Sequence, residues 1–309
     1  MEPQIAEADE SEPRWEKILW KKQPFPDDYI PPSFLSSLRR NTNVRSYAYL
    51  PLVLSACAVT QHLSTIFFFV AVFIQLNIDS SKELTFGMSQ LDPRMLAWTS
   101  IAAYPFGFVL WEAMEWRVIQ NGDRKKIRVK AIKSSILVFL ILVVISPVLK
   151  TLSEATSSDS IWAMSASLFC LNAILADYSA ANPTSANERL TSVLSINAAI
   201  SASVVLASRL SSNLAVFALI LFSVETFALF PLLRQRIQLR APAPVKALLT
   251  LTLVCFATLP YILIYPSLAI LIGITLVFVT FACPALFIWA QQYKNELKGP
   301  WDPAVPVVR

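Results

Sequence analysis

Glu112 and Glu115 stand three residues apart, a spacing that puts both carboxylates on one helical face, where a pair can pass a proton or grip a metal ion. Arg117 follows at once, and an ion pair with it is the simpler use of the same charges. His62 is the only histidine and follows Gln61. With no cysteine, acid or second histidine beside it, an interhelical hydrogen bond suits it better than a metal ion. Cys57, Cys170, Cys255 and Cys283 include no Cys-x-x-Cys pair and fall in apolar runs, so they read as packing residues rather than ligands or disulfide partners. The five glycines form no phosphate loop, and Ser, His and Asp fall into no nucleophilic motif. These residues predict no catalytic group, no metal and no cofactor in this chain. Asn197 and Glu225 lie deep in apolar stretches, where a polar group needs a partner, and helix-to-helix hydrogen bonding is the expectation for both.

The elements that carry these groups belong to a membrane protein. The 309 residues are 55% hydrophobic and 15% charged, with too little polar surface to cover a soluble core of that size. Runs long enough to cross a bilayer occur at 49–76, 95–114, 133–149, 161–175, 190–207, 214–233, 245–265 and 267–290, the fourth being short. The predicted fold class is all-α, a polytopic transmembrane helical bundle of about eight spans. Residues 117–133 read as a short loop with Arg117, Arg124, Lys125, Lys126, Arg128, Lys130 and Lys133 against one acid, Asp123. Positive charge is retained on the cytosolic side, so this loop and both termini are expected there. Only Lys82, Arg94, Lys150 and Arg209 then fall on the far side. Arg124, Lys125 and Lys126 are candidates for an anionic lipid head group, and Asp177 and Tyr178 for a polar one at the interface. The net charge of +5 sits in loops and interleaves with no aromatic groove, so no nucleic-acid partner is indicated.

Three regions follow: a cytosolic N-terminal segment at 1–48, the bundle at 49–290, and a cytosolic tail at 291–309. Residues 1–14 are acidic, lack the pattern of a secretory signal and read as a disordered tail. Residues 23–32 hold four prolines and should run extended. Ser33 is then placed to cap an amphipathic turn in which Phe34, Leu35 and Leu38 share a face, with Arg39, Arg40 and Arg45 available to head groups. Further on, Pro147 should end or kink the third span, Lys150 and Glu154 are four apart, and Ser158 or Asp159 is placed to cap the fourth.

Several of these segments carry a family likeness. They are Trp15-Glu16-Lys17 with 23–29 (QPFPDDY); 146–152 (SPVLKTL) with Glu154, Asp159, Ile161, Ala163 and Met164; Asp177-Tyr178; 195–199 (SINAA) with 206–210 (LASRL); 227–231 (FALFP); and 299–302 (GPWD). In this order and over nearly the whole chain they resemble the PIG-C family, a subunit of the phosphatidylinositol N-acetylglucosaminyltransferase complex that begins glycosylphosphatidylinositol anchor synthesis. Phe230 departs from the Trp expected before Pro231.

The resemblance implies a multi-pass protein of the endoplasmic reticulum membrane. Its complex transfers N-acetylglucosamine from UDP-N-acetylglucosamine to phosphatidylinositol, with catalysis in a PIG-A-type glycosyltransferase and PIG-H, PIG-P, PIG-Q and PIG-Y-type subunits as further partners. The residues agree from another direction. A nucleotide-sugar site on a doubly wound sheet needs a soluble domain of roughly 100 residues, and the longest stretch outside the predicted spans is the proline-broken segment before Tyr49. The expected role is a non-catalytic scaffold. Trp15, Gln23, Pro24, Phe25, Pro26, Asp27, Tyr29, Gly299, Pro300, Trp301 and Asp302 are its candidate partner-docking residues. Pro147, Lys150, Glu154, Asp159, Asn197 and Arg209 are assigned to bundle packing or partner contact. A lipid or solute transporter or scramblase is the alternative, supported by Asn197 and Glu225 but without repeated halves.

Overall fold

The computed structural model describes residues 20, 22–26, 28–29, 39–41, 46–78, 91–115, 121–151, 157–178, 186–294 and 297–298. They divide into two units, one drawn from 1–47 and 289–309, the other Ala48–Ile288. The second unit is helical throughout its described elements: α1 (Tyr49–Asn77), α2 (Pro93–Glu115), α3 (Asn121–Thr151), α4 (Ser158–Leu175), α5 (Ala186–Ala207), α6 (Asn213–Val224), α7 (Phe230–Arg240), α8 (Ala243–Ile264), α9 (Pro266–Val277) and α10 (Cys283–Gln291), whose last residues belong to the first unit.

Six helices are long and apolar enough to cross a membrane: Tyr49–Asn77, Ile132–Thr151, Ser158–Leu175, Asn213–Arg240, Ala243–Ile264 and Pro266–Gln291. Helices α2 and α5 occupy the two other expected positions but fall outside that set. Helix α2 carries Arg94, Glu112 and Glu115, and the polar first turn of α5 leaves a shorter apolar helix, Ser192–Ala207.

Two of the six are interrupted in the same way. A π turn at Glu225–Leu229 joins α6 to α7, and another at Phe278–Ala282 joins α9 to α10. Each ends two residues before a proline, Pro231 and Pro284. Proline donates no hydrogen bond and its ring crowds the carbonyl four residues back. The ladder ahead of it slips to wider bonds, from Phe230 N–H to Glu225 O and from Cys283 N–H to Phe278 O.

Helix α1 is the hub. Phe69, fully buried, meets the rings of Phe169, Phe222 and Phe227 at 5.9, 5.9 and 5.2 Å, tying α1 to α4, α6 and the first π turn. On its other side Ala71, Ala257 and Ala269 let α1, α8 and α9 approach closely, and Tyr261 donates from its hydroxyl to Phe67 O at 2.9 Å. Helix α3 is the opposite case: almost no residue of its apolar part is buried.

Several local expectations change. The basic stretch is a helix from Asn121 onward, because Lys and Arg are good helix formers and nothing in 124–133 breaks the ladder. Of the two outcomes expected at Pro147, an end or a kink, the end does not occur: α3 runs through it to Thr151. Ser157, not Ser158 or Asp159, caps α4, its hydroxyl accepting from Ser160 N–H at 3.4 Å while Asp159 sits in the first turn. In the first unit, Tyr29 N–H donates to Pro26 O at 3.0 Å and the rings of Phe25 and Tyr29 stack at 4.4 Å. The proline-rich segment thus turns on itself instead of running extended throughout. Arg39–Arg40 pair antiparallel with Leu297–Lys298, a two-residue ladder between N- and C-terminal segments.

Candidate functional site

The most concentrated polar chemistry in the bundle is built around Gln61 and His62 of α1. His62 is buried and its Nε2 lies 2.7 Å from Asn172 Oδ1 on α4. Asn172 Nδ2 in turn donates to Ser195 O and Ser195 Oγ of α5, both at 2.9 Å, and Ser195 Oγ donates back to Asn172 O at 2.8 Å. With the amide so engaged, its oxygen is the acceptor facing the ring, so His62 Nε2 carries the proton. His62 Nδ1 is buried and makes no hydrogen bond to any of the described residues.

Gln61 extends the arrangement. Its Nε2 donates to Thr250 Oγ1 at 2.9 Å and to Lys246 O at 3.5 Å, both on α8, and its Oε1 accepts from Gln238 Nε2 on α7 at 3.2 Å. Arg234, one helical turn before Gln238, is buried and donates from Nη1 to Ala58 O of α1 at 3.4 Å. The Asp177 carboxylate and Tyr178 phenol, just past α4, both act electrostatically on that guanidinium. Tyr178 donates to Ala173 O at 2.6 Å and sets its ring edge-on to His62 at 5.7 Å. Burial raises the Tyr178 phenol above its usual range, with Arg234 opposing the shift. Five helices meet here through side chains that bond one another and the neighbouring backbone. Among the described residues no nucleophile faces a base, and the hydrogen bonds of the arrangement orient its helices.

A cavity of about 690 Å³ lies elsewhere in the same unit, walled by α1, α2, α6, the first π turn, α7 and α8. Its lining is apolar apart from Glu225, Thr65, Thr226 and Tyr104, whose hydroxyl is bonded by Ser135 of α3.

The sequence-predicted residues fare unevenly. Asp177 and Tyr178 belong to the polar cluster, and His62 makes the interhelical hydrogen bond expected of it. Asn197 does not: it is exposed on α5. Asn172, one helix earlier, holds the position expected of Asn197. Cys57 is buried as expected, whereas Cys170, Cys255 and Cys283 are exposed rather than packed in the core. Pro147 and Asp159 are exposed, and Lys150 and Arg209 half-buried. Gln23, Phe25 and Tyr29 are half-buried, Pro24 and Pro26 exposed. Arg124, Lys125 and Lys126 lie on the first turns of α3, with their side chains outside the described set. Trp15, Asp27, Glu154, Gly299, Pro300, Trp301 and Asp302 lie outside the described residues, as do 33–38. Sequence reasoning missed Asn172, Arg234 and Gln238. A polar residue inside a short apolar run was the available signal for Asn172, and a cation directly at a span's end for Arg234.

Comparison with known proteins adds the family. The chain is 35% identical over 303 residues to the phosphatidylinositol N-acetylglucosaminyltransferase GPI2 subunit of Schizosaccharomyces pombe, covering 98% of this chain and 90% of that one. It is 33% identical over 298 residues to a phosphatidylinositol N-acetylglucosaminyltransferase subunit of Homo sapiens, with 95% and 93% covered. The GPI2 subunit of Saccharomyces cerevisiae is 26% identical over 315 residues, with 95% and 98% covered. No solved structure matches. A family model described as phosphatidylinositol N-acetylglucosaminyltransferase, GPI2, matches residues 15–302. With that match running over nearly the whole chain and relatives above 30% identity along its length, the chain belongs to the GPI2 family.

Proposed function

We propose that this chain is a non-catalytic membrane subunit of the complex that transfers N-acetylglucosamine from UDP-N-acetylglucosamine to phosphatidylinositol, the first step of glycosylphosphatidylinositol anchor synthesis. Its helices cross the endoplasmic reticulum membrane about eight times with both termini in the cytosol, α2 and α5 completing the count. It docks a PIG-A-type glycosyltransferase and the PIG-H, PIG-P, PIG-Q and PIG-Y-type subunits through 23–29 and 299–302. The observation that carries this reading is the use made of polar groups. His62, Asn172 and Ser195 bond one another across three helices, Gln61 bonds Thr250 and Gln238, and Arg234 bonds the α1 backbone at Ala58, which supports a role in holding helices together.

The test is transfer of labelled N-acetylglucosamine to phosphatidylinositol by the pure chain and by the chain copurified with the glycosyltransferase. Activity only in the second supports the reading, and activity of the pure chain overturns it. Glu225 on the wall of a cavity inside a span favours a second reading, a lipid scramblase or transporter. Lipid flux in vesicles holding this chain alone would support that reading over the first.

A further inference from the structure

The cavity between α2 and α7 opens sideways. Phe106, Leu110, Leu229 and Leu232 line it yet remain 67%, 41%, 39% and 55% exposed, which in a bilayer turns the groove toward hydrocarbon. One wall is low. Gly107 of α2 has no side chain, a Cβ placed there would meet nothing within 4 Å, and Ala103, four residues earlier, lines the same groove. Small residues at that spacing let the backbone of a second helix come close. The opposite wall includes the π turn, and with it Glu225, the one charged group among the described residues lining the groove. Of the described residues only Ser100 of α2 acts on that carboxyl, and one hydroxyl supplies one proton where two oxygens accept about four. A carboxyl so placed in an apolar wall calls for a donor from outside, and its charge complement is a cation.

Depth selects the occupant. Glu225 stands twelve residues from Asn213 and fifteen from Arg240 of the crossing helix, about 18 and 22 Å at about 1.5 Å per residue, near the middle of a hydrocarbon layer about 30 Å thick. A lipid ammonium stays at head-group level, far from that depth, whereas a helix brings a Lys or Arg side chain to any depth. A second copy of this chain does not supply one. The Lys and Arg residues of its apolar helices lie toward the helix ends, and the deepest, Arg234, is buried and bonded to Ala58 O.

We propose that this groove seats one transmembrane helix of another subunit, packed along Ala103 and Gly107, with a Lys or Arg near its middle donating to Glu225. The proposal rests on the subunit reading above only in needing a second membrane chain. It adds a contact inside the membrane to those proposed at 23–29 and 299–302.

The experiment places photoreactive benzoylphenylalanine at Leu110, Leu232 or, as a control on the exposed face of α3, Val144 of the full-length chain expressed in cells. After irradiation the assembled complex is purified and its crosslinked peptides are sequenced by mass spectrometry. Leu110 and Leu232 should yield one and the same partner segment, about 20 apolar residues with a Lys or Arg near the centre, and Val144 should not yield it. Glu225→Leu should cut the yield about ten-fold or more, since it leaves the partner's cation buried and unpaired, while the melting temperature of the chain by itself holds or rises. Glu225→Gln, which keeps the shape, serves if the leucine variant does not fold. Glu225→Lys should lose the adduct and regain it when the partner's cation is replaced by Glu. Adducts to lipid alone, to a second copy of this chain or to a segment without a central cation would each overturn the proposal. So would the absence of any peptide adduct at both groove positions, or a yield indifferent to Glu225→Leu and Glu225→Gln. A cation-bearing segment from a protein with no part in sugar transfer would uphold the seat and sink the functional reading instead.

Discussion

Replacing Asn172 by Leu tests whether the polar cluster holds the bundle together. The Asn172 side chain makes three contacts, to His62 Nε2 at 2.7 Å and to Ser195 O and Oγ at 2.9 Å. Interhelical hydrogen bonds within membranes average about 0.6 kcal/mol each, so the three contribute about 2 kcal/mol. Leaving His62 buried with neither ring nitrogen bonded adds about 1 kcal/mol or more. The variant should therefore lose about 3 kcal/mol, a fall in melting temperature on the order of 10 °C. His62→Leu alone should cost less, since it leaves the Asn172–Ser195 clamp intact. The double variant should be more stable than the sum of the two by about 1 kcal/mol, because the pair then no longer strands a buried partner. Unfolding of the purified chain in mixed micelles, titrated with a denaturing detergent, measures all four corners of the cycle. An Asn172→Leu variant within about 0.5 kcal/mol of the parent, with strictly additive effects, would refute the reasoning.

Arg234→Met should destabilise the bundle by about 3 kcal/mol in the same assay, since it removes the bond to Ala58 O and the buried guanidinium on which Tyr178 and Asp177 act. Adding Asp177→Asn should recover part of the loss, and Arg234→Lys should not restore it, because a point charge lacks the planar fork. Replacing Phe25 and Tyr29 by Ala removes a stacked pair and should reduce recovery of the copurifying glycosyltransferase about ten-fold at unchanged melting temperature, as read by quantitative immunoblot. A glycosylation acceptor inserted within 152–156 should be modified in the endoplasmic reticulum and one within 116–120 should not. The reverse pattern on gels would invert the proposed topology.

The likeness of the chain to a membrane-complex subunit was legible because its signals are local. Apolar runs mark where helices lie whatever they pack against, and the described helices fall at all eight expected positions. The basic stretch after α2 shows the limit of such signals. Its composition predicted a side of the membrane but not that the third helix begins within it, since charge biases translocation while backbone bonding decides where the helix starts.

What the sequence alone determined is the solvent. A chain this apolar, with its cations gathered between apolar runs, belongs in a bilayer as a helical bundle. What only the tertiary structure decided is which polar group meets which. Asn172 and Asn197 are the same residue type on neighbouring helices, yet one joins three helices and the other is exposed. Hydropathy depends on what a helix contains, and it is indifferent to rotation about the helix axis. That rotation is set by side chains from distant parts of the chain fitting together, here around Phe69 and His62 of α1.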